Sequence, residues 1–220
     1  FDYQSPLGSI FQHRFSDISL YGKHLPLLKA DDSSNSLRSL YLSDCNPQTK
    51  LIGISWRGGV RGDRIKQKSV DIDQFFQLLS NLSCKSDLVF VSLQYGDVST
   101  AVTKWRSLGL NIILDEEINP LKDMDKWLSQ VSVCDAVISI ANTTIHGSGG
   151  LGIPTYCLLS QQSDWRWLKS TKVSRSYWYP SVGIARQSPN GEWSDAFETI
   201  CKWMLDGFPL PQGISCIDPA

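Results

Sequence analysis

The chain has 220 residues, 41% hydrophobic and 20% charged, and a formal net charge of −1. That length and composition suit one globular domain with a full core plus an appendage, and they exclude a disordered chain. The near-neutral balance leaves no global attraction to nucleic acid or membrane surfaces, and no apolar run nears the roughly 20 residues of a bilayer span.

In chain order, residues 1–48 read as a tail or linker. SPLGS, HLPLL and the polar DDSSNSLRS run mark loops, and no complete strand–helix unit appears before residue 49. Because the chain starts at Phe1 without a signal-peptide pattern, it is expected to be part of something longer. Residues 49–208 read as one domain, with a short tail at 209–220. Within the domain lie five short apolar runs, at Leu51–Ser55, Leu88–Gln94, Leu110–Leu114, Ala136–Ala141 and Thr155–Leu159. Continuous apolar runs of this length are what parallel strands show when both faces are covered.

Helix-period patterns separate the runs. Val70–Leu82 carries Phe75, Phe76, Leu78, Leu79 and Leu82, Val98–Leu108 carries Val102 and Trp105, Asp123–Val133 carries Trp127 and Val131, and Trp193–Leu205 follows late in the domain. Strands alternating with helices imply right-handed crossovers. The expected fold is therefore α/β, a doubly wound, mostly parallel sheet with helices on both faces.

Ligands of such sheets lie beyond the carboxyl ends of the strands, and three stretches converge there. The loop Ser55–Lys68 carries Arg57, Arg61, Arg64, Lys66 and Lys68 against only Asp63, interleaved with Gly58, Gly59 and Gly62. Such a loop can fold over a diphosphate and neutralise it, or be a solvated surface loop. SLQYGD, Ser92–Asp97, ends the second run. Gln94 or Asp97 could read a base or ribose edge and Tyr95 could stack on a ring, beside Trp56, or the segment could be a simple turn. After Ala136–Ala141 come Asn142, Thr143 and Thr144, where a helix needs capping oxygens, and then His146. A helix starting there aims free N–H groups and a positive dipole end at an anion, beside which the imidazole's charged form would be favoured.

Gly147, Gly149 and Gly152 spell GxGxxG, but late in the chain and just before Pro154. A dinucleotide fingerprint belongs after the first strand, so these glycines are read as close packing of a short helix on the sheet. DWRW at Asp164–Trp167 and SYWYPS at Ser176–Ser181 concentrate aromatics that cover a sheet edge or wall a sugar or base pocket, with Trp165 a candidate contact. Six cysteines without a CxxC pair are expected to be reduced, in a cytoplasmic protein, and three histidines without ligand spacing imply no metal site.

Taken together, GISWRGG, the basic loop ending at Lys68-Ser69, VSLQYGD, DAVISIANTTIH with GLGIP, DWRW, SYWYPS and RQ with Trp193 resemble one family. It is the C-terminal, nucleotide-sugar-binding half of bacterial glycosyltransferases often fused to tetratricopeptide repeats, relatives of the lipopolysaccharide heptosyltransferases with a GT-B fold. The likeness covers residues 50 to about 206, and PLGSI with HLPLLKAD resembles the end of the preceding half. It implies sugar transfer from a nucleotide diphosphate sugar to an unknown protein or glycan acceptor, by a metal-independent inverting mechanism without a cofactor. The diphosphate would meet Lys68, Asn142, Thr143, Thr144 and His146, and the acceptor site and general base would belong to the N-terminal half.

Two departures stand out. Many relatives carry D-T-[SG] ahead of the histidine where this chain has Ala141-Asn142-Thr143, and HLAGALG where it has HGSGGLG. The missing acid keeps open a non-catalytic nucleotide-sugar-binding or interaction domain. A third reading, an epimerase, would need Asp97, Asp115 or Glu116 as its acid/base pair.

Overall fold

The computed structural model describes residues 4, 26–31, 34–58, 64–167 and 173–212, apart from the side chains of Arg64, Lys66 and Trp165. The apolar runs form β1 (Lys50–Ser55), β2 (Leu88–Ser92), β3 (Ile112–Ile113), β4 (Ala136–Ile140) and β5 (Thr155–Leu159), and a further strand β6 spans Val182–Arg186. All pair in parallel, in the order β3-β2-β1-β4-β5-β6. β1 is central, with Ile52 opposite both Phe90 and Ala136. Chain order reverses between β1 and β4, and the crevice at such a reversal is where doubly wound sheets hold their ligands.

Seven helices are described: α1 (Ser34–Tyr41), α2 (Arg64–Lys68), α3 (Ile72–Ser83), α4 (Ser99–Ser107), α5 (Met124–Ser132), α6 (Thr143–Gly150) and α7 (Ser194–Leu205). The two-residue period of a strand sends neighbours in β1 to opposite faces. Ile52 and Ile54 join Phe75, Leu78 and Leu82 of α3, Trp105 of α4 and Trp203 of α7. Leu51 joins Trp127 and Val131 of α5 on the other face. Each of these large side chains contributes about 1.5–3 kcal/mol by leaving water. Side-chain caps fix the helix starts, Asp71 for α3 and Asp123 for α5.

Three elements differ from the sequence expectations. β6 was not among the five apolar runs, because Gly183 and Arg186 interrupt its pattern. Gly183 is required there, since an added Cβ would lie 2.7 Å from the Tyr156 ring on β5. α1 falls in the polar stretch read as loops. It is held by Arg38, which donates to the Val133 carbonyl and to Asp135, and by Tyr41, which donates to Asp115 at 2.6 Å and accepts from Gln130. β3 is only two residues long.

α6 is the expected short glycine-rich helix, but its glycines receive side chains from beyond the sheet. A Cβ at Gly147 would meet Trp127 at 2.8 Å, one at Gly149 the base of the Tyr179 ring at 2.6 Å, and one at Gly150 Leu28 at 2.7 Å. The backbone N–H groups of Leu27 and Leu28 also donate to the Gly150 carbonyl. Gly149→Ala is therefore expected to force Tyr179 aside and cost about 1–3 kcal/mol. A thermal melt should register this as a Tm lowered by roughly 3–10 °C.

Cys45, Cys84, Cys134, Cys157 and Cys201 are all free thiols. Burial pushes Cys134 and Cys157 up, well above the ordinary thiol range, so both act as small apolar core residues. Among the described residues no helix is long and apolar enough to cross a membrane.

Candidate functional site

A buried polar seam laces the carboxyl ends of three strands. Asn142, just past β4, donates from Nδ2 to Ser55 Oγ at the end of β1 (2.7 Å) and to the Arg57 carbonyl (3.3 Å). Ser55 Oγ donates in turn to Oε1 of Gln94, just past β2, at 3.0 Å. The same Gln94 oxygen accepts from the backbone N–H groups of Trp56 (3.1 Å) and Arg57 (2.8 Å). Polar groups this deep persist because each finds partners, and here they fix the path by which the chain leaves β1.

The basic loop grows from that fixed exit and is pinched at its base. Val70 N–H donates to the Trp56 carbonyl, and Gly58 N–H to Ser69 Oγ at 3.0 Å. A Cβ on Gly58 would lie 3.5 Å from Lys68 Cβ and 3.8 Å from Ile140 Cδ1, which places Lys68 at the junction of β1 and β4. Arg57 turns the other way and donates to the Tyr95 carbonyl at 3.2 Å, close over Gly96, whose φ is +80°. Gly59, Arg61, Gly62 and Asp63 lie outside the described residues, as do the side chains of Arg64, Lys66 and Trp165.

α6 begins at the same junction. Asn142 caps it, its Oδ1 accepting from Thr144 N–H (2.9 Å) and Ser139 Oγ (3.1 Å), so the helix dipole points its positive end toward the loop. Both polar atoms of Asn142 are thus engaged within the fold, and Thr144 is buried, leaving Thr143 as the exposed residue of the trio expected at a phosphate. His146 follows on the first turn, its Nδ1 3.1 Å from the Tyr179 hydroxyl. Burial first, and then the nearby Arg166 guanidinium, hold this imidazole below its ordinary pKa, partly countered by Asp164. Within the fold these influences favour the neutral ring, whereas an anion beside it would favour the charged form.

The sequence-derived candidates separate into two neighbouring spaces. Trp56, Arg57 and Asp97 line a cleft of about 800 Å³ with Ser69, Val70 and Gln187. Thr143 and His146 line a smaller hollow of about 370 Å³ with Leu28, Trp127 and Tyr179. Trp56 is a core residue at the cleft's floor, 5% exposed and packed against Phe75 and Trp105, rather than a free stacking surface. Gln94 is a structural acceptor, its carbonyl saturated by three donors, so that oxygen is unavailable to a base edge. Tyr95 stands half-buried at the rim. Asp97 accepts from Ser99 Oγ and N–H at the start of α4, which with the charge of Arg57 keeps its carboxyl below the usual range.

Of the epimerase candidates, Asp115 is bonded to Tyr41 and to Glu117 N–H, holding α1 rather than facing the cleft. Among the described residues no cluster of His, Cys, Asp or Glu could hold a metal ion. Ser55, Ser69 and Tyr179 were missed by sequence reasoning. A serine closing an apolar strand was the one available signal, and it was indistinct from an ordinary turn.

The sheet order, the capped helix at the strand reversal and the pinched loop define a Rossmann-like α/β unit of the kind found in GT-B glycosyltransferases. No family model matches the chain. In sequence it is 26% identical over 210 residues to Protein FlbA of Caulobacter vibrioides, an alignment covering 94% of this chain and 33% of that protein. In structure it matches the E. coli ADP-heptose lps heptosyltransferase II with a TM-score of 0.56 at 12% identity, over 84% of this chain and 54% of that one. A glycosyl transferase family 9 protein from Veillonella parvula matches with a TM-score of 0.56 at 10% identity, over 82% and 53%. The E. coli heptosyltransferase WaaC with ADP matches at 0.51 and 11%, over 85% and 52%. The chain thus spans a third of the sequence relative and about half of each solved structure. At these identities the likeness establishes the fold.

Proposed function

We propose that this chain is the donor-binding half of a glycosyltransferase, taking a nucleotide diphosphate sugar whose sugar is passed to a protein or glycan acceptor. The observation that carries this reading is the convergence, at the β1/β4 reversal, of Lys68, the capped start of α6 and the Arg57-bearing loop, on a fold shared with glycosyltransferases. Sugar transfer leaves a nucleoside diphosphate, and the chemical demand is to stabilise charge building on the β-phosphate oxygen that separates from the sugar. Lys68 and the N–H groups of α6 would supply that stabilisation, with Thr143 and His146 as further donors and Arg57 toward the nucleotide. Side-chain cations and a helix end meet this demand without a metal ion, and attack from the opposite face by an acceptor held in another half would invert the anomeric centre. In the longer protein that half, and tetratricopeptide repeats beyond it, would supply the acceptor and its base, and we place the protein in the cytoplasm.

Calorimetric titration of the 220-residue chain with UDP, GDP and ADP tests this directly. Saturable binding of one nucleotide, equal with and without magnesium, is expected. Binding of none, or binding only with magnesium, would overturn the metal-independent donor site. Nucleotide binding without donor turnover by the longer protein would favour the non-catalytic domain instead.

A further inference from the structure

Tyr179 belongs to the aromatic stretch between β5 and β6, and its ring is fixed from two sides. Its base rests on Gly149, where the missing Cβ leaves room that any other residue would fill. Its hydroxyl lies 3.1 Å from Nδ1 of His146, the rings meeting edge to face with centroids 5.8 Å apart. The Tyr179 backbone N–H also donates to Ser176 Oγ, tying down the segment that carries it.

We infer that Tyr179 is a positioning residue for His146: its hydroxyl donates to Nδ1 and so holds the imidazole in the Nε2–H tautomer, a single N–H donor at the start of α6. A neutral phenol donates more strongly than it accepts, and an unprotonated imidazole nitrogen is a strong acceptor. With Nδ1 taken, the ring proton resides on Nε2, on the side away from Tyr179. His146 and Thr143 line the same hollow, so the donor stands beside the one exposed threonine of the helix start. Burial and Arg166 disfavour a second proton on the ring, while burial keeps the Tyr179 hydroxyl protonated. The role of the pair toward a ligand rests on the donor-site reading above. There the Nε2–H would donate to an oxygen of the nucleotide diphosphate sugar, a neutral contact that leaves the main charge compensation to Lys68 and the helix.

Tyr179→Phe keeps the ring on Gly149 and removes only the hydroxyl, so the fold should survive, which a thermal melt checks. Nitrogen-15 NMR of the histidine rings, assigned with His146→Gln, then reads the tautomer without any ligand. The expected result is Nε2–H alone in the parent chain and a mixture of both tautomers in the phenylalanine variant. An Nδ1–H tautomer in the parent, or an unchanged tautomer in the variant, would overturn the inference. In parallel, the nucleoside diphosphate found to bind should bind the variant about 2- to 10-fold more weakly. Should no nucleotide bind the parent, the donor-site reading falls while the NMR result still decides the role of Tyr179. Should a nucleotide bind both proteins equally, the contact from His146 falls and the donor site stands.

Discussion

Replacing Gln94 by leucine is expected to lower stability by about 3 kcal/mol, more than typical for a residue beyond the end of a strand. Its Oε1 accepts from Ser55 Oγ, Trp56 N–H and Arg57 N–H at 2.8–3.1 Å, and the side chain is 6% exposed. A leucine of similar volume fills the space but leaves three donors with no acceptor, and each unsatisfied buried group costs about 1–3 kcal/mol. Local relaxation and water entry through the adjoining cleft reduce the sum, so the estimate sits near the lower end. For a chain of 220 residues the Tm should fall by roughly 6–12 °C. Gln94→Glu, which keeps an acceptor at that position, should lose less than Gln94→Leu. Equal melting of Gln94→Leu and the parent would show that the seam does not hold β1 to β2.

The same residue shows what a sequence conveys and what it withholds. β1, β2, β4 and β5 were legible because each is covered on both faces, and that demands an unbroken apolar run. β6 was not, because the cover on one side is Tyr156, which needs a glycine beneath it and so breaks the pattern. α1 escaped because only Leu37 and Tyr41 of its eight residues pack on the core, half-buried, and bonds from Arg38 and Tyr41 to residues distant in sequence complete its docking. At the site, the place was legible and the roles were not. Strand ends, a capping Asn-Thr-Thr run and a basic loop point to one rim of the sheet. Yet whether a polar atom faces a ligand or a neighbour depends on contacts distant in sequence: Asn142 to Ser55 spans 87 positions and Gln94 to Ser55 spans 39. Trp56 shows the same dependence, since an indole after a strand can line the cleft while most of its surface packs against Phe75 and Trp105.

Lys68→Ala should separate ligand binding from folding. Among the described residues Lys68 makes no ion pair or hydrogen bond, and it stands partly exposed at the junction where Asn142 opens α6. A lysine beside the positive end of a helix, with no side-chain partner among the described residues, gathers like charge, an arrangement that an anion relieves. Truncation should therefore leave the Tm almost unchanged while weakening nucleoside diphosphate binding by about 1–3 kcal/mol, a Kd raised about 5- to 150-fold. Lys68→Arg should recover part of the loss, because charge is kept while the compact ammonium is exchanged for a planar fork. The affinity of the parent should also fall more steeply with salt than that of Lys68→Ala, since one ion contact is missing from the variant. A parent that binds and a Lys68→Ala chain that binds equally, with equal salt dependence, would move the diphosphate away from the β1/β4 junction and toward the Arg57 side of the larger cleft.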